Sequence, residues 1–199
     1  MTRFFRNITL RTLCFLLGIW HPLHADTGDK IVTAARQQVG VTTVYDPAYV
    51  TLAYPKGDVP QDRGVCSDVI IRALRVALSQ DLQQLVHEDM KAHFSAYPKQ
   101  WGLSRTDTHI DHRRVPNLRA YFKRRGFDLP LPKVNDFSAL HPGDFITCTV
   151  PPNLPHIMIV SDRKSADPNR PLVIHNIGAG AREEDLLADY LLTGHYRWK

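Results

Sequence analysis

The 199-residue sequence has few cysteines and little excess charge of either sign. Its three cysteines are too few for a scaffold built on disulfides, and the absence of a Cys-x-x-Cys pair argues against a zinc knuckle. The net charge is +5, and three arginines lie within the first eleven residues, so the rest of the chain carries only +2. That balance does not argue for a nucleic-acid partner. A composition that is 43% hydrophobic and 23% charged instead fits a globular chain with one domain.

No hydrophobic run is long enough to span a bilayer as a helix. The apolar stretch Leu13–Trp20 follows the three early arginines and precedes the small residue Ala25. This order is typical of a secretory signal peptide. We therefore predict a signal peptide over residues 1–25, a single domain over residues 26–199, and a periplasmic or secreted protein with no stable membrane insertion after cleavage. An uncleaved anchor or a buried helix is the competing interpretation.

The spacing of hydrophobic residues changes along the chain from a helical period to a strand period. Helices are predicted over Asp29–Val39, Cys66–Leu78, Asp81–Phe94 and Val115–Arg125. Strands are predicted over Asp144–Val150, Pro155–Ser161, Pro171–Ile177 and Gly194–Trp198. Helices followed by strands indicate an α+β fold, in which N-terminal helices pack on one face of a mainly antiparallel β-sheet.

Cys66 is the first residue of the clearest predicted helix and shares its apolar face with Val69, Ile70 and Ala73. Backbone N–H groups and the helix dipole lower the pKa of a thiol at this position and favour the nucleophilic thiolate. Cys66 is therefore a candidate nucleophile. The alternatives are a buried structural thiol and a disulfide with Cys148.

Two histidines interrupt the apolar runs of neighbouring predicted strands. Symmetrical pairing about the turn 162–171 sets residue i opposite residue 333 − i, which makes His175 a direct or diagonal neighbour of His156. An imidazole that is oriented by a second polar side chain can activate a nearby thiol. A one-residue slip of the register would offer Asn176 as the orienting group instead.

Several segments together resemble the NlpC/P60 cysteine peptidases and, within that superfamily, the branch catalogued as domain-of-unknown-function family 1287. They are Gly64-Val65-Cys66-Ser67-Asp68, Pro142-Gly143-Asp144, Pro155 to Val160, Ile174-His175, HNIGAG and TGHYRW. The resemblance covers roughly residues 29–199. It implies a papain-like NlpC/P60-type fold in which Cys66 is the nucleophile, His156 the base and His175 the residue that orients the base.

The resemblance also implies a substrate and two further site residues. Tyr54 is similar to the tyrosine that lines the site upstream of the nucleophile, and Asp68 replaces a glycine beside the cleft, so both are expected to contact substrate. The implied reaction is acyl transfer without a cofactor or metal. Its substrate would be a peptidoglycan peptide, typically cleaved between D-γ-glutamyl and diaminopimelate. Endopeptidase and acyltransferase both fit, and the oligomeric state stays open.

Two other functions are compatible with the same residues. The domain could be a non-catalytic module that binds a peptide or glycan, or a zinc hydrolase with Cys66, His156 and His175 as ligands. A second cluster of metal-capable side chains comprises Asp107, His109, Asp111 and His112. Its short, irregular spacing next to two arginines favours a hydrogen-bonded loop over a metal site.

Overall fold

The computed structural model describes residues 23–199, with side chains from Thr27 onward. The predicted signal peptide lies outside the described residues except for its last three, which belong to the first turn of a helix. Four α-helices occur in the described chain: α1 (Leu23–Arg36), α2 (Cys66–Leu78), α3 (Leu82–Ala92) and α4 (Val115–Arg124). Two 3₁₀ turns, Phe94–Ala96 and Asp111–Arg113, lie between α3 and α4. Within this part of the chain, no helix has the length and apolar character needed to cross a membrane.

Helix α2 has the predicted bounds because local interactions define both of its ends. At the start, the N–H of Val65 donates to the Asp68 carboxylate at 2.7 Å. At the end, Ser79 adopts a left-handed conformation with φ of 56°. The first nine residues of α2 are buried, so the helix passes through the centre of the molecule with Cys66 inside.

The other helices differ from the predictions mainly at their ends. Helix α1 begins and ends earlier than the predicted Asp29–Val39, and a turn containing Gly40 with φ of +79° follows it. Helices α3 and α4 agree with their predicted bounds to within two residues at each end. Propensity and periodicity locate these elements well, whereas tertiary contacts determine where they stop.

The strands form one large sheet and one short pair. The pair consists of β1 (Val44–Tyr45) and β2 (Arg63–Gly64), which are parallel and lie just before α2 in the chain. The large sheet contains β3 (Asp128–Leu129), β4 (Phe145–Val150), β5 (Leu154–Lys164), β6 (Pro171–Asn176), β7 (Ala181–Glu184) and β8 (Leu191–Tyr196). Its spatial order is β3-β8-β4-β5-β6-β7, and each neighbouring pair is antiparallel. The predicted α+β class is confirmed, although β1, β2, β3 and β7 were not predicted.

Both faces of the large sheet are buried, but by different parts of the chain. A larger core joins the helices to one face, whose buried side chains include Phe145, Ile159 and Ile174. A smaller core covers the other face and includes Met158, Val173, Phe137 and Leu187. Alternate residues of β5 therefore face different cores.

Strands β5 and β6 pair in the predicted register. Ile159 lies opposite Ile174, and Val160 lies opposite Val173, as the symmetrical pairing requires. On the side of the two histidines, the pairing between β5 and β6 ends at Ile159 and Ile174. His156 and His175 therefore stand where these two strands separate.

Candidate active site

The thiol of Cys66 is buried at the start of α2, with only 4% of the residue exposed. Burial raises the pKa of this thiol to about 11, although the backbone N–H of Ile157 on β5 interacts with the sulfur and opposes the shift. The N–H groups of Ser67 and of Cys66 itself oppose it further. Cys66 is therefore protonated at rest, whereas its helix position alone predicted a lowered pKa.

Cys66 is not joined to Cys148. Both cysteines are free and buried. Cys148 lies on β4 opposite His156, and burial raises the pKa of its thiol to about 12. The disulfide that the sequence left open is not formed between these two residues, so the sulfur of Cys66 remains a free thiol.

Three side chains on β5, β6 and β7 form a hydrogen-bonded chain. Nε2 of His156 lies 3.0 Å from Nδ1 of His175, and Nε2 of His175 lies 3.0 Å from Oε1 of Glu184. The two imidazole rings are nearly perpendicular, at 85°. Both histidines are buried, while the side chain of Glu184 is 36% exposed. The predicted cross-strand relation of the histidines is confirmed, and Glu184 extends it by one residue.

The carboxylate of Glu184 determines where the protons of this chain lie. A carboxylate only accepts hydrogen bonds, so Nε2 of His175 carries the proton and Nδ1 carries the lone pair. Nε2 of His156 therefore donates to Nδ1 of His175, and Nδ1 of His156 keeps its lone pair. This last nitrogen has no hydrogen-bond partner among the described residues. The chain ends in a nitrogen that can accept a proton.

Burial keeps both imidazoles neutral. It lowers the pKa of His156 to about 3, and repulsion by His175 contributes in the same direction. Burial also lowers the pKa of His175, against the attraction of the Glu184 carboxylate. A neutral His156 and a protonated Cys66 correspond to general-base activation of the thiol and not to a resting thiolate–imidazolium pair.

Cys66 and His156 approach β5 from different sides of the strand. Ile157 belongs to the larger core with Cys66, whereas alternation places His156 on the side of Met158. The sulfur nevertheless interacts with the N–H of Ile157, the residue directly after His156. No hydrogen bond joins the sulfur to either histidine within the described chain. Direct proton transfer between them therefore requires a rearrangement that brings the Cys66 sulfur and the His156 ring to the same side of β5.

Asp68 is a buried anchor, which corrects the expectation that it contacts substrate. Its carboxylate accepts the N–H of Val65 and two further bonds from Arg113, from Nε at 3.0 Å and Nη2 at 2.9 Å. Only 3% of Asp68 is exposed. NlpC/P60 peptidases usually have a glycine at this position. In this protein the acidic side chain of Asp68 binds the guanidinium of Arg113 instead.

Tyr54 is not brought to Cys66, which corrects its expected place in the site. Its ring packs edge-on against His87 of α3, with ring centres 5.1 Å apart. Tyr45 takes that place instead, because pairing of β1 with β2 sets it opposite Gly64, two residues before Cys66. Tyr45 lines the groove beside Cys66. Burial raises the pKa of its hydroxyl, and the negative charge of Asp68 contributes in the same direction.

Asn176 does not orient His156. Its side-chain amide donates to the carbonyl of Gly64 at 3.0 Å and its oxygen accepts the N–H of Gly178 at 3.2 Å. These bonds link the turn between β6 and β7 to the segment before Cys66. Of the two orienting groups that the sequence allowed, the structure places His175 against His156.

The segment 107–112 is a hydrogen-bonded loop, as predicted. The N–H of His109 donates to the Asp107 carboxylate at 2.8 Å, and the N–H of Asp107 donates to the Asp111 carboxylate at 2.5 Å. Nδ1 of His109 accepts the N–H of Leu52 at 3.1 Å. These side chains are used to hold the backbone of the loop.

The predicted zinc alternative requires Cys66, His156 and His175 to point at one ion. The facing nitrogens of the two histidines are instead 3.0 Å apart and bonded to each other, and the second nitrogen of His175 is bonded to Glu184. In the part of the chain that the structure describes, no group of three or more His, Cys, Asp or Glu side chains is arranged to hold a metal ion. The geometry of these ligands does not fit the zinc interpretation.

Glu184 is the site residue that the sequence analysis missed. It lies on β7, where Arg182 pairs with His175 and Glu184 pairs with Val173. The turn 177–180 was a signal, since pairing residues symmetrically about it sets Glu184 diagonal to His175. The charged strand was overlooked because it lacks the apolar alternation by which strands are found.

Comparisons with known proteins agree with this architecture. The family described as "Domain of unknown function (DUF1287)" matches residues 32–198. Uncharacterized protein YijF from Escherichia coli (strain K12) is 53% identical over 177 residues, which cover 88% of this chain and 84% of that protein. The crystal structure of an N-acetylmuramoyl-L-alanine amidase from Bacteroides uniformis ATCC 8492 matches with a TM-score of 0.53 at 11% identity, over 87% of this chain and 99% of that chain. That structure shares the fold, and the chain itself belongs to the family of domain of unknown function 1287.

Proposed function

We propose that this protein is a cysteine hydrolase that cleaves an amide bond in peptidoglycan peptides, with Cys66 as the nucleophile. The observation that carries the proposal is the chain from Glu184 through His175 to His156. This chain ends in Nδ1 of His156, which carries no proton. The next residue along β5 is Ile157, and its backbone N–H interacts with the Cys66 sulfur. A buried imidazole whose tautomer is set by a second histidine and a carboxylate is suited to proton transfer.

In the proposed reaction, Nδ1 of His156 takes the thiol proton as the Cys66 sulfur attacks the amide carbonyl carbon. The backbone N–H of Cys66, at the start of α2, stabilises the negative oxygen that forms. The C–N bond then breaks as His156 returns the proton to the leaving nitrogen, and a thioester remains on Cys66. Water, deprotonated by His156, hydrolyses the thioester, releases the acid and restores the thiol. Glu184 stabilises the imidazolium form through His175.

The proposed substrate rests on the comparisons and on the resemblance to NlpC/P60 peptidases. The structural neighbour is named as an amidase of N-acetylmuramoyl-L-alanine, and the resemblance implies cleavage after D-γ-glutamyl residues. Both bonds are amides of peptidoglycan. We therefore propose this polymer as the substrate class, with no cofactor.

The proposed location is the periplasm or the exterior of the cell, where peptidoglycan lies. Residues 1–25 would be removed as a signal peptide, and residues 26–199 would form the working domain. Sequencing the N-terminus of the protein recovered from a periplasmic extract tests this. A mature chain that begins at Asp26 is expected, and an intact Met1 in that fraction would contradict it.

Digestion of purified muropeptides, followed by mass analysis of the fragments, tests the reaction. The wild-type protein should release two fragments whose masses sum to that of the substrate plus water. Cys66→Ala should release none, whereas Cys148→Ala should still do so because Cys148 lies outside the proposed machinery. Cleavage by Cys66→Ala at the wild-type rate would overturn the proposal, and an unchanged rate with a chelator would exclude a metal requirement.

A second candidate function is a peptide- or glycan-binding module without turnover. It is favoured by one observation, namely that the buried Cys66 thiol is protonated and has no hydrogen bond to His156 within the described residues. This candidate predicts that muropeptides bind but stay intact. It also predicts that a thiol-reactive peptide fails to modify Cys66.

A further inference from the structure

A groove of about 270 Å³ opens beside Cys66 and extends toward the start of α4. Its lining includes Tyr45, Gln100, Trp101, Arg113, Arg114 and Pro155. Two of the lining residues are arginines, and among the described residues that line the groove none is acidic. The groove therefore combines a candidate nucleophile with positive charge.

The charge of Arg113 is already compensated. Its guanidinium makes two bonds to the buried carboxylate of Asp68 and further bonds to the carbonyls of Ala48 and Asp46. The side chains of this ion pair are only 2% and 4% exposed. Arg113 therefore supports the wall of the groove and has little capacity for a ligand.

Arg114 differs from Arg113 in its partners. Its guanidinium lies over the ring of Trp101, with the central carbon 4.2 Å from the ring centre, and this contact helps to hold the cation in place. One nitrogen, Nη1, donates to Asp111 at 3.3 Å. Within the described chain, Nε and Nη2 donate to no protein group. A preorganised guanidinium with unused donors is suited to binding a carboxylate through two bonds.

We propose that Arg114, held by Trp101, forms a carboxylate-binding subsite of this groove. The ligand class is an acyl-donor peptide that carries a free carboxylate next to the amide bond presented to Cys66. This inference rests on the proposed function for the reaction, but the binding of a carboxylate follows from Arg114 itself. The subsite makes Arg114 a specificity-determining residue.

The test uses two peptidoglycan peptides that differ in one group, a free α-carboxylate or a neutral carboxamide beside the candidate scissile amide. The wild-type protein should prefer the free acid in kcat/KM by about 10- to 100-fold, the range expected for hydrogen bonds to charged groups. Arg114→Gln should reduce this preference to within about threefold, mainly through KM, because uniform binding is lost. Arg114→Lys should restore part of it, since lysine keeps the charge without the planar fork.

Arg125→Gln is the matched control, because Arg125 lies at the other end of α4 and is exposed. It should keep the wild-type preference. The unfolding temperature of Arg114→Gln shows that the variant is folded, and the ratio between the two peptides would not change if Arg114 only stabilised the fold. A preference that is absent in the wild type, or unchanged in Arg114→Gln, overturns the subsite even if cleavage occurs.

Binding separates failure of the subsite from failure of the proposed function. If neither peptide is cleaved, calorimetric titration of both peptides into the wild-type and Arg114→Gln proteins still measures the preference. Selective binding of the acid that depends on Arg114, without cleavage, would contradict the hydrolase and support the subsite. Cleavage without that selectivity would support the hydrolase and contradict the subsite.

Discussion

The protonation of Cys66 sets the chemistry that is available at the residue scale. Burial raises the pKa of the thiol to about 11 and lowers that of His156 to about 3, so both groups are neutral near pH 7. In the proposed reaction, activation of the thiol therefore accompanies attack on the substrate, with His156 as the base. An enzyme that stored a thiolate at rest would behave differently toward a simple alkylating reagent.

Alkylation of Cys66 by iodoacetamide should therefore accelerate with pH. With a thiol pKa of about 11, the rate should rise roughly tenfold per pH unit between pH 6 and pH 10, because only the thiolate reacts. Peptide mapping by mass spectrometry measures the rate at Cys66 separately from that at Cys148. A rate that is already constant from roughly pH 5 upward would show a stored thiolate–imidazolium pair instead.

Glu184 offers a test of the tautomer that the hydrogen-bonded chain sets. Glu184→Ala should lower kcat by about 10- to 100-fold, because the proton positions of His175 and His156 lose their anionic anchor. Glu184→Gln keeps an acceptor oxygen for His175 and should lose less. Glu183→Gln is a poor comparison because Glu183 bonds to Arg36, so the exposed Asp189→Asn serves as the control. Equal activity of Glu184→Ala and the wild type would remove Glu184 from the mechanism.

The sequence could single out Cys66 and the two histidines as candidates because each departs from its local pattern. A thiol opens an apolar helix face, and imidazoles interrupt apolar strands. The choice of Tyr54 over Tyr45 failed because it depends on the pairing of β1 with β2, a contact between distant segments. The raised pKa of Cys66 likewise comes from burial, which only the assembled core provides.

At the scale of elements, the start of α2 depends on Asp68. Its carboxylate holds the N–H of Val65 and the buried guanidinium of Arg113, which in turn bonds to the backbone near β1. The position of the first helical turn, and hence of Cys66, follows from this arrangement. The negative charge of Asp68 also contributes to the raised pKa of the Cys66 thiol. Asp68 thereby holds the start of α2, and with it Cys66, from inside the protein.

Asp68→Asn should destabilise the fold by about 3 kcal/mol, because it leaves the buried Arg113 without a counterion. The measurement is the free energy of unfolding in urea. Asp62→Asn is the control, since its ion pair with Arg63 is exposed and should contribute less than about 1 kcal/mol. If Asp68→Asn raised KM while leaving the free energy of unfolding unchanged, Asp68 would be a substrate contact after all.

The elements that sequence predicted best are those with strong periodicity and clear ends. Helix α2 has an apolar face and an Asp in its first turn, and β5 and β6 flank a single turn that determines their register. Strand β7 was missed because its sequence, AREE, is mostly polar and lacks the alternation typical of a strand. Its extended form depends on pairing with β6. Local sequence could not supply that partner.

At the scale of the whole molecule, the sheet is covered on both faces, and several histidines are buried in the process. His112 and His156 are 2% and 3% exposed, and burial lowers the pKa of each to about 3. In the unfolded chain these histidines titrate near pH 6.5. Between about pH 6.5 and pH 3 the unfolded state therefore binds protons at these histidines that the folded state does not bind. Acid accordingly favours unfolding.

Stability should accordingly be complete above about pH 6.5 and should fall as the pH decreases toward 3. Each of the two histidines should remove about 2–3 kcal/mol between pH 7 and pH 4.5, at roughly 1.4 kcal/mol per pH unit below 6.5. Urea unfolding at both pH values measures the loss, and His112→Gln should reduce the difference by about 2–3 kcal/mol. A free energy of unfolding that stays constant between pH 7 and pH 4.5 would contradict this account of the buried histidines.

Hydrolysis by the proposed mechanism requires the acyl group of the substrate to be transferred to Cys66. Rapid acid quenching during muropeptide turnover, followed by mass spectrometry of the Cys66 peptide, tests this directly. The predicted result is an added mass equal to the acyl half of the substrate, present in the wild type and absent in Cys66→Ala, which also releases no product. Product release by Cys66→Ala at an undiminished rate, with the wild-type Cys66 peptide unmodified at every quench time, would contradict it.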